Sequence, residues 1–242
     1  MNINITTYCN LKCPYCFAKD LWESAGDKQD DKEISIQNLK IVMGFMKNSG
    51  VREFRMFGGE PTLHTRFEEV YDIVSRNGFS VAIFSNGIIS KEKVEFLSKQ
   101  KNLDGIVINI QYPNSYSSKQ YEMLNRTLYK LNKYINLSFV IYELDFDAHF
   151  IIDLVKKYNL KRVIKWSIAA PSFKHKNVYV KPEDHRKVIG RFVEYSRRFK
   201  RHHIRWYTDT TFMWCLFTKE QLDELIIMLD LRLIMNVCQY WK

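Results

Sequence analysis

Short apolar runs alternate with amphipathic helical stretches along most of the chain, and this alternation restricts the fold more than any other feature of the sequence. Residues 1–8 read as a first strand. A polar connection over 18–34, with a charge run at its centre, reads as mobile. Ser35 is placed as an N-cap, Leu39, Val42, Met43 and Met46 recur at helical spacing, and Gly50 marks the stop. The pattern then repeats. Strands are expected at 51–57, 80–84, 105–112, 137–142 and 162–169. Between them lie helices carrying Phe67, Val70, Tyr71 and Val74; Val94 and Leu97; Tyr121, Leu124, Leu128, Leu131 and Ile135; and Phe150, Leu154, Val155 and Tyr158. A sixth helix starts near Pro182 and carries Val188, Phe192 and Phe199. Six such units call for parallel strands with helices outside, an open (β/α)6 version of the TIM barrel. In that architecture chemistry sits in the loops after the strands.

The loop after the first strand is Cys9-Asn10-Leu11-Lys12-Cys13-Pro14-Tyr15-Cys16. Three thiolates on one tight loop form half a cup for a soft metal centre. A fourth cysteine would suggest a closed zinc site or a ferredoxin-type cluster. Three leave open a cube-shaped cluster with one free iron, a zinc half-site, or three unrelated buried cysteines. The loop after the second strand is Gly58-Gly59-Glu60-Pro61, where two glycines permit close backbone approach and Glu60 offers an acceptor for an ammonium group.

Together these loops resemble the radical S-adenosylmethionine (SAM) superfamily, down to the aromatic Tyr15 before the last cysteine. The resemblance implies a [4Fe-4S] cluster on Cys9, Cys13 and Cys16, with SAM chelating the fourth iron. It gives Gly58, Gly59 and Glu60 the methionine amino group of SAM and counts Tyr15 among the cofactor contacts. Ser85-Asn86-Gly87 resembles the Thr-Asn-Gly turn of that family. Asn109 and Gln111 share a face of strand four by period two, where many relatives carry serine and aspartate, and are further SAM candidates. Ser167 is another polar candidate, Trp166 is assigned to the core, and His64 to a supporting or exposed place. The implied chemistry is reductive cleavage of SAM to methionine and a 5′-deoxyadenosyl radical, which abstracts hydrogen from a substrate. The electron comes from an external donor such as flavodoxin or ferredoxin.

The remaining two of five cysteines, Cys215 and Cys238, lie in an extension over 201–242 beyond a barrel over 1–200. That tail resembles the start of SPASM or twitch extensions, which carry auxiliary clusters. Two cysteines are too few for a cubane, so a truncated site, a degenerate remnant and ordinary buried cysteines all stay open. A capping-box pattern from Thr218 to Gln221 opens a helix with Leu222, Leu225, Ile226 and Leu229 on one face. With 46% hydrophobic and 26% charged residues a folded core is expected. No membrane span or signal peptide is expected, and an oxygen-sensitive cluster points to the cytoplasm. The leading reading is an enzyme acting on a peptide or small biosynthetic substrate. A net charge of +10 and the basic run over 197–205 leave RNA modification as an alternative, although that run also suits a helix C-terminus. A non-catalytic metal- or partner-binding module on a decayed barrel is the third reading.

Overall fold

The computed structural model describes residues 1–18, 20, 32–172, 174, 177–208, 218 and 220. These fall into two compact units, one comprising Met1–Cys13 and Ala18–Ile135, the other Pro14–Phe17 and Asn136–Lys242.

In the first unit, β1 (Asn2–Thr6), β2 (Glu53–Gly58), β3 (Ser80–Ser85) and β4 (Leu103–Asn109) pair in parallel in chain order. The register sets Ile3 beside Met56, Phe54 beside Val81, and Ile83 beside Ile106, and all six side chains are buried. Among the described residues the helices of this unit are α1 (Ile36–Asn48), α2 (Phe67–Arg76), α3 (Lys91–Ser98) and α4 (Ser118–Lys130). Ser35 caps α1 by accepting the Asn38 amide at 3.1 Å, and α1 buries Leu39, Met43 and Met46. Ser117 and Gln120 form a reciprocal capping box on α4. The end of the polar connection runs antiparallel beside β1, where Thr7 N donates to Lys32 O at 2.8 Å and Ile34 N to Ile5 O at 2.9 Å. Most of that connection, the helix expected around 222–229, Cys215 and Cys238 lie outside the described residues.

Several boundaries differ from the sequence expectation by a few residues, and two of them have a visible cause. The fourth helix stops at Lys130; Leu131 is its C-cap, and Ile135 opens the next strand after a 3-10 turn at Asn132–Tyr134. Leu131 and Ile135 are four apart, so helical spacing runs on by coincidence into a strand whose first side chain is also buried. Strand four ends at Asn109, not at 112. Beyond it the Gln111 amide donates to the Tyr116 hydroxyl at 2.8 Å, drawing the chain into the turn at Pro113–Ser115.

In the second unit, β5 (Ile135–Ile141), β6 (Val163–Ile168) and β7 (Arg205–Thr208) pair in parallel in chain order. Among the described residues this unit contains the helices α5 (His149–Tyr158) and α6 (His185–Arg201). Its core is aromatic. Trp166 is fully buried, with ring centroids of Phe139, Phe146, Phe192 and Phe199 at 5.7, 6.0, 5.4 and 5.4 Å. The basic run closes α6: Arg198, Lys200 and Arg201 occupy its last turn, where the helix dipole favours cations, and Arg198 reaches Glu194 at 2.5 Å. Among the described residues no helix is long and apolar enough to cross a membrane. Trp166→Ala leaves a cavity that four rings cannot refill. It is expected to lower unfolding free energy by about 3–5 kcal/mol in chemical denaturation.

Candidate functional site

The site in the first unit begins with two backbone approaches. Gly59 N donates to Thr6 O at 2.9 Å and Glu60 N to Tyr8 O at 2.7 Å, tying the end of β2 to the stretch that enters the cysteine loop. No side chain fits there. A Cβ on Gly59 would collide with the Tyr8 carbonyl and lie 2.8 Å from the Cys9 Cβ. The Cys9 thiol is exposed and those of Cys13 and Cys16 are half-buried, none of them in a disulfide.

The Glu60 carboxyl group is engaged by the protein itself. It is fully buried, and its carboxylate accepts from four protein donors: Thr62 N at 3.2 Å, Thr62 Oγ1 at 2.7 Å, Asn86 N at 2.7 Å, and Ser85 Oγ at 2.9 and 3.1 Å. Burial pushes the Glu60 carboxyl above its ordinary value, while the hydrogen bonds from Asn86, Thr62 and Ser85 pull the other way. The nearby cation is Lys93, whose ammonium donates to the Thr62 carbonyl and is itself lowered by desolvation while Glu68, Glu60 and Glu33 raise it. Glu60 therefore locks the loop after β2 to the turn after β3.

That turn carries the lock onward. Ser85 Oγ accepts the Gly87 amide at 2.9 Å and Asn86 Oδ1 accepts the Ile88 amide at 2.8 Å. Gly87 adopts φ +82°, and a Cβ there would sit 2.6 Å from Leu124 Cδ1. Asn86 Nδ2 donates to Asn10 Oδ1 at 2.7 Å and lies 3.8 Å from Cys9 Sγ. Asn10 returns a bond to Ile88 O at 2.9 Å, and Gln120 Nε2 holds Asn10 O at 3.3 Å. Gln111, beyond β4, is buried and places Nε2 3.1 Å from Cys13 Sγ. Asn109, the last residue of β4, is half-buried. His64 is buried and structural: Nδ1 accepts Arg66 N at 3.0 Å, which leaves Nε2 as donor to Ile34 O at 3.2 Å.

In the second unit, Tyr15 is buried and stacks on Tyr142 at 4.9 Å. Its carbonyl accepts Asn177 Nδ2 at 3.1 Å, and Pro14 O accepts Val178 N at 2.8 Å. Asn177 also bonds Ala170 O at 2.8 Å and accepts the Ser172 amide at 2.7 Å. Ser167 is buried on β6. Sequence reading missed Asn177, Tyr142, Asn10 and Gln120. They are single polar or aromatic residues whose type marks no site by itself, and only tertiary contact reveals their partners.

Parallel strands ending in a thiol loop, a glycine pair and a buried carboxylate define a cofactor-dependent α/β protein. The family model for the radical SAM superfamily matches residues 3–167, and the chain belongs to that superfamily, whose members use a [4Fe-4S] cluster and SAM. The 7-carboxy-7-deazaguanine synthase of Clostridium acetobutylicum is 27% identical over 175 residues, covering 72% of this chain and 68% of that protein. The antilisterial bacteriocin subtilosin biosynthesis protein AlbA of Bacillus subtilis is 32% identical over 108 residues, covering 43% of this chain and 23% of that protein. Among solved structures, Streptococcus suis SuiB bound to its precursor peptide SuiA aligns with TM-score 0.67 at 18% identity, over 93% of this chain and 50% of that one. This last likeness shows the fold class expected from the strand–helix alternation, the TIM-like radical SAM α/β fold. The chain thus spans about two thirds of the synthase, half of SuiB and a quarter of AlbA.

Two predictions follow from the packing. Gly59→Ala is expected to lower the thermal midpoint, because backbone must move. Gly44→Ala in α1, where a Cβ meets nothing within 4 Å, is expected to raise it. In Glu60→Gln a carboxamide nitrogen faces donors it cannot accept from. The expected loss is about 1–3 kcal/mol in denaturant titration.

Proposed function

We propose that this chain is a radical SAM enzyme whose Cys9, Cys13 and Cys16 hold the [4Fe-4S] cluster and whose substrate is a peptide. The observation that carries the reading is the seating of Gly59 against Tyr8 and Cys9, which puts the loop assigned to SAM beside the thiol stretch assigned to the cluster. The donor set suits the group: three cysteines on one short loop, outside any disulfide and none of them fully buried.

In this reading the backbone of Gly58 and Gly59 receives the methionine amino group, and Glu60 and Ser85 hold that backbone from behind. Asn109 and Tyr15 remain direct SAM candidates. When bound, the cluster supplies the electron that splits SAM into methionine and a 5′-deoxyadenosyl radical, which takes a hydrogen atom from the substrate. A small electron carrier of the flavodoxin or ferredoxin kind delivers that electron in the reducing cytoplasm. Residues 201–242 are read as an extension in which Cys215 and Cys238 are remnants of an auxiliary-cluster site.

What supports a peptide substrate is the likeness to AlbA, a bacteriocin biosynthesis protein, together with the fold shared with SuiB, which was crystallised on its precursor peptide. The second reading, a small biosynthetic substrate, is supported by the synthase, which matches more of this chain than AlbA does. RNA modification has the net charge of +10 and the basic run over 197–205 behind it, and Arg198 in that run is engaged by Glu194 and His149.

The test is anaerobic reconstitution with iron and sulfide, reduction with dithionite, and mass-spectrometric detection of 5′-deoxyadenosine. Wild type is expected to release it. Cys9→Ala, Cys13→Ala and Cys16→Ala are expected to lose both iron and product. Iron-loaded wild type that cleaves no SAM would sink the enzyme reading. A mass change in a short peptide encoded beside this chain would separate the peptide from the small-molecule substrate.

A further inference from the structure

Two carboxamide side chains point their nitrogens at cysteine sulfurs in the first unit. Gln111 Nε2 lies 3.1 Å from Cys13 Sγ, and Asn86 Nδ2 lies 3.8 Å from Cys9 Sγ. The first contact is short for a donor to sulfur and the second is long, so Gln111 is the stronger candidate. Its placement is built. The side chain is 8% exposed, and its own backbone amide is held by the Tyr116 hydroxyl at 2.8 Å. Asn86 is occupied otherwise, by Asn10 Oδ1 and by the Ile88 amide.

We propose that Gln111 tunes the reduction potential of the iron–sulfur cluster by donating an N–H to the Cys13 thiolate, with Asn86 a weaker second donor at Cys9. The inference rests on the cluster assignment above. An iron-bound thiolate carries no proton and only accepts, so the NH2 end of Gln111 is the end that faces it. Hydrogen bonds to cluster sulfurs stabilise negative charge, and that charge is larger after one-electron reduction. A donor at Cys13 therefore raises the potential and makes the electron easier to load from a biological reductant. A carboxamide does this without adding a formal charge beside a loop that must also admit SAM.

The experiment is an EPR-monitored redox titration of reconstituted protein, with iron counted on each sample. Gln111→Met keeps the length and deletes the donor. Its midpoint is expected to fall by about the 59 mV that corresponds to one decade in a one-electron equilibrium. Gln111→Lys puts a cationic donor one atom farther along the side chain, and its midpoint is expected to rise above that of Gln111→Met. A merely supportive side chain gives no such ordered pair of shifts. Equal midpoints in wild type and Gln111→Met at equal iron content overturn the proposal, as does loss of iron in both variants, which would make Gln111 a structural prop. Wild type that assembles no cluster spectrum at all would instead remove the cluster assignment, a failure visible before any variant is titrated.

Discussion

A carboxylate with no solvent sits at the centre of the first unit, and the geometry around it is fixed by the cost of putting it there. Burying a charge is tolerated only when it is hydrogen-bonded and has a counter-charge within reach. Glu60 meets both conditions, with four donors from Thr62, Ser85 and Asn86 and the Lys93 ammonium nearby. Because those donors come from the ends of two different strands, satisfying one side chain fixes two loops at once. The lock then passes through Asn86 to Asn10, inside the cysteine loop. Three of the five residues singled out for SAM on these two loops, Glu60, Ser85 and Asn86, are thus hydrogen-bonded to one another.

This changes what the Gly-Gly-Glu stretch contributes. Its glycines allow backbone to lie against Thr6 at Gly58 and against Tyr8 and Cys9 at Gly59, where any Cβ would intrude. Its glutamate faces inward. A site that must hold a reactive cofactor benefits from loops whose rotamers are set by packing and secondary hydrogen bonds. In the second unit Asn177 plays a comparable part, holding Tyr15 O and Ala170 O from a single amide. The wall of rings around Trp166 supplies the rigidity beneath it.

Much of the fold was legible. Each expected strand and helix up to residue 208 has a counterpart, because buried parallel strands and one-sided helices leave different periodicities in the chain. The misplacements occurred where two periods coincide, at Leu131 and Ile135, and where a tyrosine hydroxyl takes a backbone amide off the ladder, at Gln111. The site was legible as a set of motifs, since thiol spacing and paired glycines report chemistry directly. The direction each polar side chain takes was not.

The sequence alone therefore determined the alternating α/β architecture, the three-thiol loop and the glycine approach, all of which depend on residue type and spacing along one chain. Only the tertiary structure decided that Glu60 is an internal strut, that Asn86 and Gln111 turn toward sulfur, and that Asn177 holds Tyr15. Each of those outcomes is a choice of hydrogen-bond partner across many residues of sequence. A buried polar group takes whichever partner the packed fold brings within about 3 Å, and local sequence carries no record of that distance.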